Sequence, residues 1–321
     1  MKTAIIGLGG MGSTHYNMFR DMDDIEIIAL VDVEEDRITE KAAQCGARGY
    51  TDINDMLGNE KPDFVMICTP SYLHYEHAVA AMEKGIHVFT EKPAALDENE
   101  ITEMFKCASK NNVCFMTGHV LRFWIEYNWL KETVESGKYG RLYHLNMWRM
   151  GQQPTYTWQN WMLDEEKSGL VPFDLQIHDI DFAVYLLGAP EKSDYYQINS
   201  EPGQFVEIKL EYNNGTRVNA KASWLIPKIP FEMGFEAIFE HGYAEFRNDK
   251  LTFFSNDGEE FNPVNEAAQD GSEISVTNTL AYVKEQRYFI NCIREGKKPS
   301  FIKEEEMLTT LKILKGYKKA R

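Results

Sequence analysis

Three groups of residues in this sequence could carry chemistry. Near the amino terminus, Gly7-Leu-Gly9-Gly10-Met11-Gly12 spells G-x-G-x-x-G. In a turn from strand to helix, the first glycine permits the sharp bend and the second lets backbone approach a pyrophosphate. The third lets the helix pack closely, and the free N–H groups at the helix start face the phosphates. Asp32 follows Gly12 by twenty positions and ends the second apolar run, where an acid accepts hydrogen bonds from ribose hydroxyls. The glycines alone are a weak signal, and their place between a strand pattern and a helix pattern gives them weight. A 2′-phosphate at this point would meet Asp32, Glu34 and Glu35 against Arg37. NAD is therefore expected rather than NADP.

The second group is Asp174, His178 and Asp181, spaced i, i+4, i+7. That spacing puts them on one face of a helix expected over about 174–187, while Leu175, Ile180, Val184 and Leu187 turn toward a core. Two acids and a histidine are costly to bury without a purpose, although a lone histidine in such a place is more often a satisfied core group than a catalyst. The third is Lys92, just past a strand's end, the edge at which open parallel sheets bind ligands. Pro93 keeps it out of the helical region. By itself it reads first as a surface lysine before a turn.

The elements that must position these residues follow from periodicity. Strand-like runs at Thr3–Gly7, Ile25–Asp32, Phe64–Thr69, His87–Thr90 and Val113–Thr117 alternate with helical spacing at about 11–22, 35–45, 53–58, 72–84 and 97–110. Continuous apolar strands separated by helices imply a parallel, doubly wound Rossmann sheet. Asp52 and Asp97 read as helix caps, Gly46 and Gly85 as stops. Beyond about residue 120 the pattern changes. A helix is expected over Tyr127–Ser136, a strand over Leu142–Trp148 and a Trp-rich loop over Gly151–Glu166. Alternating strands follow at Phe205–Tyr212, Arg217–Trp224, Phe235–Phe239, Tyr243–Phe246 and Leu251–Phe254, with an Asn-Gly hairpin turn at 214–215. Helices at about 278–295 and 303–316 close the chain. The fold class is α/β in two domains. Residues 1–119 form an NAD-binding Rossmann domain. Residues 120–321 form an α+β domain for substrate binding and oligomerisation, with a large, mostly antiparallel open sheet.

Gly85-Ile-His-Val-Phe-Thr-Glu-Lys-Pro93 and Cys68-Thr-Pro-Ser-Tyr-Leu-His74, together with the glycine motif, resemble the Gfo/Idh/MocA oxidoreductase family. So do Ser168-Gly-Leu-Val-Pro-Phe-Asp174-Leu-Gln-Ile-His178-Asp-Ile-Asp181 and the tail Phe289…Gly296-Lys-Lys-Pro299. The resemblance implies a two-domain enzyme acting on the CH–OH group of a sugar or polyol, with Lys92, Asp174 and His178 as its catalytic group. His178 would then be the base, Lys92 the group that steadies the substrate oxygen, and Asp174 the residue that orients the pair; Asp181 would be structural. It adds Thr69, Pro70, His74, Glu91 and Lys92 to the cofactor residues Gly7, Gly9, Gly10, Met11, Gly12 and Asp32. It also implies a homodimer or homotetramer joined through the second sheet. Many members carry a Gly-Gly-Gly run where this chain has Ser168-Gly-Leu-Val. The rim there is expected to hug a substrate less closely.

Arg122 matches a family position near substrate or cofactor, and reads equally as an ion pair holding the two domains. Trp158-Gln-Asn-Trp161 could offer aromatic faces to a sugar, with Trp161 the expected substrate contact, or serve packing. His74 could also cap a helix. The remaining histidines, His15 among them, lack ligand spacing, so no metal is expected. Lys303-Glu-Glu-Glu306 reads as a solvated helix start.

The formal charge of −16 over 321 residues argues against nucleic-acid or anionic-membrane partners. No run of about 18 apolar residues occurs, and the amino-terminal apolar run breaks into glycines too early for a signal peptide. Five scattered cysteines fit free thiols in a reducing cytoplasm. Two other function classes share these residues: a glycosidase that oxidises its sugar transiently before elimination, and a silent NAD- or sugar-sensing protein.

Overall fold

The computed structural model describes residues 1–200, 203–224, 230–262, 264 and 277–316. They form two compact units. The first comprises Met1–Gly118 with Tyr156–Ser168 and Gln286–Glu304, the second His119–Thr155, Gly169–Glu285 and Glu305–Arg321. Two later segments thus belong with the first 118 residues.

In the first unit β1 (Lys2–Ile6), α1 (Gly10–Arg20), β2 (Glu26–Val31), α2 (Glu35–Cys45), β3 (Arg48–Tyr50), α3 (Ile53–Asn59), β4 (Phe64–Ile67), α4 (His74–Glu83), β5 (His87–Thr90), α5 (Glu98–Lys110) and β6 (Phe115–Thr117) alternate. The strands order β3-β2-β1-β4-β5-β6 and every pairing is parallel. This is the doubly wound order whose chain reversal beside β1 opens a ligand crevice at the strands' carboxyl ends. Asp52 and Asp97 cap α3 and α5, accepting from Asn54 N at 2.7 Å and Asn99 N at 2.9 Å. The edge strand β3 escapes the sequence pattern, since its three residues are exposed or half-buried.

The second unit contains α6 (Ile125–Ser136), β7 (Leu142–Met150), α8 (Ile177–Leu187), β8 (Lys192–Ser200), β9 (Gly203–Glu211), β10 (Arg217–Ser223), β11 (Glu232–Phe239), β12 (Gly242–Arg247), β13 (Lys250–Ser255) and β14 (Glu260–Phe261); α7 (Glu165–Ser168) belongs to the first unit. Its eight strands order β14-β13-β12-β11-β7-β10-β9-β8. All pairings are antiparallel except β7 with β10. On one face Tyr127 of α6 packs edge-on against Phe182 of α8 and Phe235 of β11, at 4.8 and 5.2 Å between ring centres. The last helices, α9 (Thr277–Arg294) and α10 (Glu304–Lys315), contribute to both units. Phe289 of α9 meets Phe64 and Phe89 at 5.8 and 5.5 Å, closing the first core.

Candidate functional site

The glycine turn is built as its spacing requires. Gly7 takes φ +88°, and a Cβ there would lie 2.7 Å from the Cys68 carbonyl. A Cβ on Gly12 would lie 1.8 Å from Gly7 O, so α1 rests directly on the turn. Gly9 and Gly10 differ: a Cβ on either meets nothing within 4 Å. Their bare backbone faces open space where α1 begins, with no side-chain cap and no acid in the first turn. Unsatisfied N–H groups and the positive end of the helix dipole converge there. These residues fit a pyrophosphate.

Asp32, at the end of β2, is held from both sides. Its Oδ2 accepts Leu8 N–H at 2.6 Å and its Oδ1 accepts Glu34 N–H at 2.9 Å. Arg37 stands 3.7 Å away, already beside this carboxylate.

Lys92 sits half-buried past the end of β5, before a cis bond to Pro93. Two buried side chains brace its loop. Glu91 Oε2 accepts the Lys92 N–H at 3.1 Å, while its Oε1 lies 2.7 Å from His15 Nε2 on α1. His15 Nδ1 in turn meets Gln286 of α9. Burial pushes the Glu91 carboxyl up, and the His15 ring and Lys92 outweigh it, holding the group below its ordinary value. His74 lies with Nε2 2.8 Å from Thr69 O and Nδ1 2.7 Å from Pro93 O. Burial lowers its pKa against these two carbonyls. His74 therefore ties the Thr69-Pro70 turn to the Lys92 loop, and at 1% exposure it offers little surface to a ligand.

Asp174 and His178 lie in the second unit, but not on one regular helix. Pro172–Gln176 is a π turn that runs straight into α8. Gly169 (φ +72°) and Leu170 (φ +59°) precede it. Leucine thus takes a left-handed conformation that a glycine run would adopt freely, at a cost of about 1–2 kcal/mol. Single π turns of this kind recur at functional sites. The four ionisable residues of this stretch differ in burial. Asp179 and Asp181 are fully buried, whereas Asp174 and His178 are half-buried. Asp179 takes Arg149 Nε at 3.0 Å, and burial pushes it up to about 6 against that pairing. Asp181 takes Arg122 Nε and Nη2 at 2.9 and 2.7 Å. Burial raises the Asp181 carboxyl, and Arg122 with His119 more than reverses this.

Arg122, a candidate substrate residue from its place in the sequence, is completely buried. It forks onto Asp181 and reaches Glu306 at 2.5 Å. Both partners lie, like Arg122 itself, in the second unit. Paired with this buried guanidinium, Glu306 is no solvated helix-start residue. Trp161 is half-buried in the 3-10 turn Trp158–Leu163, part of the first unit. Its neighbour Trp158 donates Nε1–H to Glu34 Oε1 at 2.9 Å. Among the described residues, no cluster of His, Cys, Asp or Glu could hold a metal ion, and no helix is long and apolar enough to cross a membrane.

Comparison with known proteins is decisive for the family. A model of the Gfo/Idh/MocA oxidoreductases, described as an NAD-binding Rossmann fold, matches residues 1–119, and the C-terminal domain model of the same family matches 127–245. The chain belongs to the Gfo/Idh/MocA oxidoreductase family. Residues 1–119 match the family's NAD-binding domain. The chain is 32% identical over 199 residues to 2,7-anhydro-N-acetylneuraminate hydratase of Mediterraneibacter gnavus, covering 60% of this chain and 52% of that one. It is 32% identical over 190 residues to myo-inositol 2-dehydrogenase of Thermotoga maritima, covering 59% and 55%. The chain thus spans about half the length of these curated relatives. The structure of levoglucosan dehydrogenase with NADH and levoglucosan superposes with a TM-score of 0.86 at 19% identity, over 100% of this chain and 96% of that one. That match fixes the fold.

Within this Gfo/Idh/MocA chain, sequence reading passed over His15, Arg149, Asp179, Gln286 and the pairing of Trp158 with Glu34. His15 lies one helical turn beyond Gly12 and faces inward, yet nothing near it in sequence points to Glu91, 76 positions away.

Proposed function

We propose that this protein is an NAD-dependent oxidoreductase acting on a secondary alcohol of a sugar or polyol of inositol type. The observation that carries the reading is the sorting on the 174–181 stretch. Asp179 and Asp181 are consumed by buried arginines, while Asp174 and His178 keep access to solvent at a π turn. Bound NAD supplies the acceptor for the electron pair of the substrate C–H bond. His178 takes the hydroxyl proton, a role suited to an imidazole near neutral pH. Lys92, held by its braced loop, donates a hydrogen bond to the same oxygen and stabilises the charge that develops there. Asp174 orients His178 or passes its proton on. The carboxylates of Asp32 and Glu34 favour NAD over NADP.

A second reading has one specific support: the chain is as similar to a hydratase as to an inositol dehydrogenase. In that reading bound NAD would take a hydride from the sugar and later return it, while the same residues move the protons as the neighbouring C–H is deprotonated and a leaving group is eliminated, with no net redox change. A silent sensor accounts poorly for Lys92, Asp174 and His178 all being present.

The open face of the second sheet bears exposed Tyr196, Ile198, Ile238 and Phe254. This supports a homodimer or homotetramer formed there. The five free thiols suit a reducing cytoplasm.

An absorbance screen at 340 nm with NAD and NADP, over inositols, hexoses, pentoses and glycosides, tests the reading. Steady NADH production supports the dehydrogenase. Glycoside cleavage or hydration without net NADH supports the second reading. His178→Ala should lose at least about 100-fold in turnover and still bind NADH; near-normal turnover removes the base assignment.

A further inference from the structure

The segment Trp158–Ser168 comes from the middle of the chain yet packs with the first unit. It is anchored there at two points. At one end Trp158 Nε1 donates to Glu34 Oε1 at 2.9 Å, and Glu34 N–H is itself bound by Asp32 Oδ1. The latch therefore lies one residue-to-residue contact from the acid placed for the adenosine ribose. At the other end α7 packs on the 3-10 turn Ser71–Leu73, which follows Thr69 and Pro70 directly. Lys167 Nζ stands 5.8 Å over the Tyr72 ring.

Sheet order gives these anchors their meaning. Glu34 follows β2 and Tyr72 follows β4, and the order β2-β1-β4 makes these strands the two neighbours of β1. The anchors therefore lie on the two sides of the β1 turn. A segment tied on both sides of that turn has to cross the crevice above Gly9 and Gly10. It is also shaped for a purpose. Gln159 (φ 49°) and Asn160 (φ 53°) are successive left-handed residues, a conformation that L side chains adopt at a cost. Their turn is held by Asn160 N–H to Thr157 O at 2.9 Å and by Ser168 Oγ to Met162 O at 2.8 Å.

We propose that residues 158–168 form a clasp across the bound dinucleotide, latched by Trp158 and Glu34, and that opening this latch limits release of the cofactor. The proposal rests on NAD binding at the glycine turn. It assigns Trp158 to cofactor retention rather than to a sugar pocket. A chain that keeps its cofactor between turnovers is equipped for transient oxidation as well as for net dehydrogenation.

The test is stopped-flow release of NADH into excess NAD, followed by energy transfer from indole to the dihydronicotinamide. Losing a charge-assisted hydrogen bond should speed release in Trp158→Phe by about tenfold. Glu34→Gln keeps an acceptor without its charge and should speed release about threefold. The double variant should release no faster than Trp158→Phe, because both changes open one latch. Melting temperatures of the ligand-free proteins should stay within about 1 °C, since the contact is exposed. Release at the wild-type rate in both single variants, or rate effects that multiply in the double variant, overturns the clasp. Absence of NADH binding by the wild type overturns the cofactor reading and the clasp together, which separates that failure from failure of the clasp alone.

Discussion

Replacing Gly12 and Gly9 by alanine, one at a time, should separate folding from cofactor binding. At an ordinary helix position Gly→Ala gains about 1 kcal/mol. At Gly12 the new Cβ would sit 1.8 Å from Gly7 O, less than about two thirds of a normal carbon–oxygen contact distance. The obstacle is backbone in a turn whose Gly7 N–H is bound to Val31 O at 2.7 Å, so it cannot rotate aside. Helix α1 must retreat by more than 1 Å or so, at an overpacking cost of about 1–3 kcal/mol. At roughly 2–4 °C per kcal/mol, the melting temperature should fall by several degrees. Gly9→Ala is the opposite case. The Cβ meets nothing within 4 Å, so stability should fall by no more than about 1 kcal/mol. The methyl group instead fills space left for phosphate, and NADH affinity should drop by about tenfold or more. Scanning fluorimetry and an NADH fluorescence titration read the two effects separately. A Gly9→Ala protein that binds NADH as tightly as wild type would refute the placement of the phosphates, and a Gly12→Ala protein that melts normally would refute the packing argument.

Two further outcomes follow from buried charge. Arg122→Met should destabilise the protein by about 3–5 kcal/mol, because it leaves the Asp181 and Glu306 carboxylates without the guanidinium they share. Urea unfolding checks this; a well-folded variant altered only in KM would return Arg122 to the substrate. Glu126 is buried, its Oε2 has no hydrogen-bond partner, and burial raises its pKa to about 7. A folded-state pKa above the unfolded one means that stability is fully present below about pH 4.5 and is lost as pH rises through 7. Glu126→Gln should therefore add up to about 3 kcal/mol at pH 8, and almost nothing below pH 4. A gain independent of pH in denaturation curves would rule out titration as the cause.

The parts of this protein legible in its sequence are those whose partners lie close along the chain. The glycine turn, Asp32 and the caps at Asp52 and Asp97 depend on backbone geometry within one strand–turn–helix unit, and residue type alone reports it. Apolar runs announced the central parallel strands for the same reason, since burial on both faces demands them. Edge strands such as β3 and β8 were invisible, because a strand half open to water needs no apolar run. The 174–181 stretch was half legible. Spacing put Asp174 and His178 in one helical stretch, but it did not announce the π turn or the left-handed Leu170. Which acids were spent on ion pairs depended on Arg122 and Arg149, 59 and 30 positions distant. The same holds for Glu91 with His15 and for Trp158 with Glu34, 124 positions apart. Such pairs form only once strand order has placed their elements side by side. Local residue chemistry thus announced the dinucleotide turn and placed Asp174 and His178 within one short stretch. Tertiary structure decided which charges are buried in the ion pairs of the scaffold, because a buried charge is stable only beside a partner that the fold itself delivers.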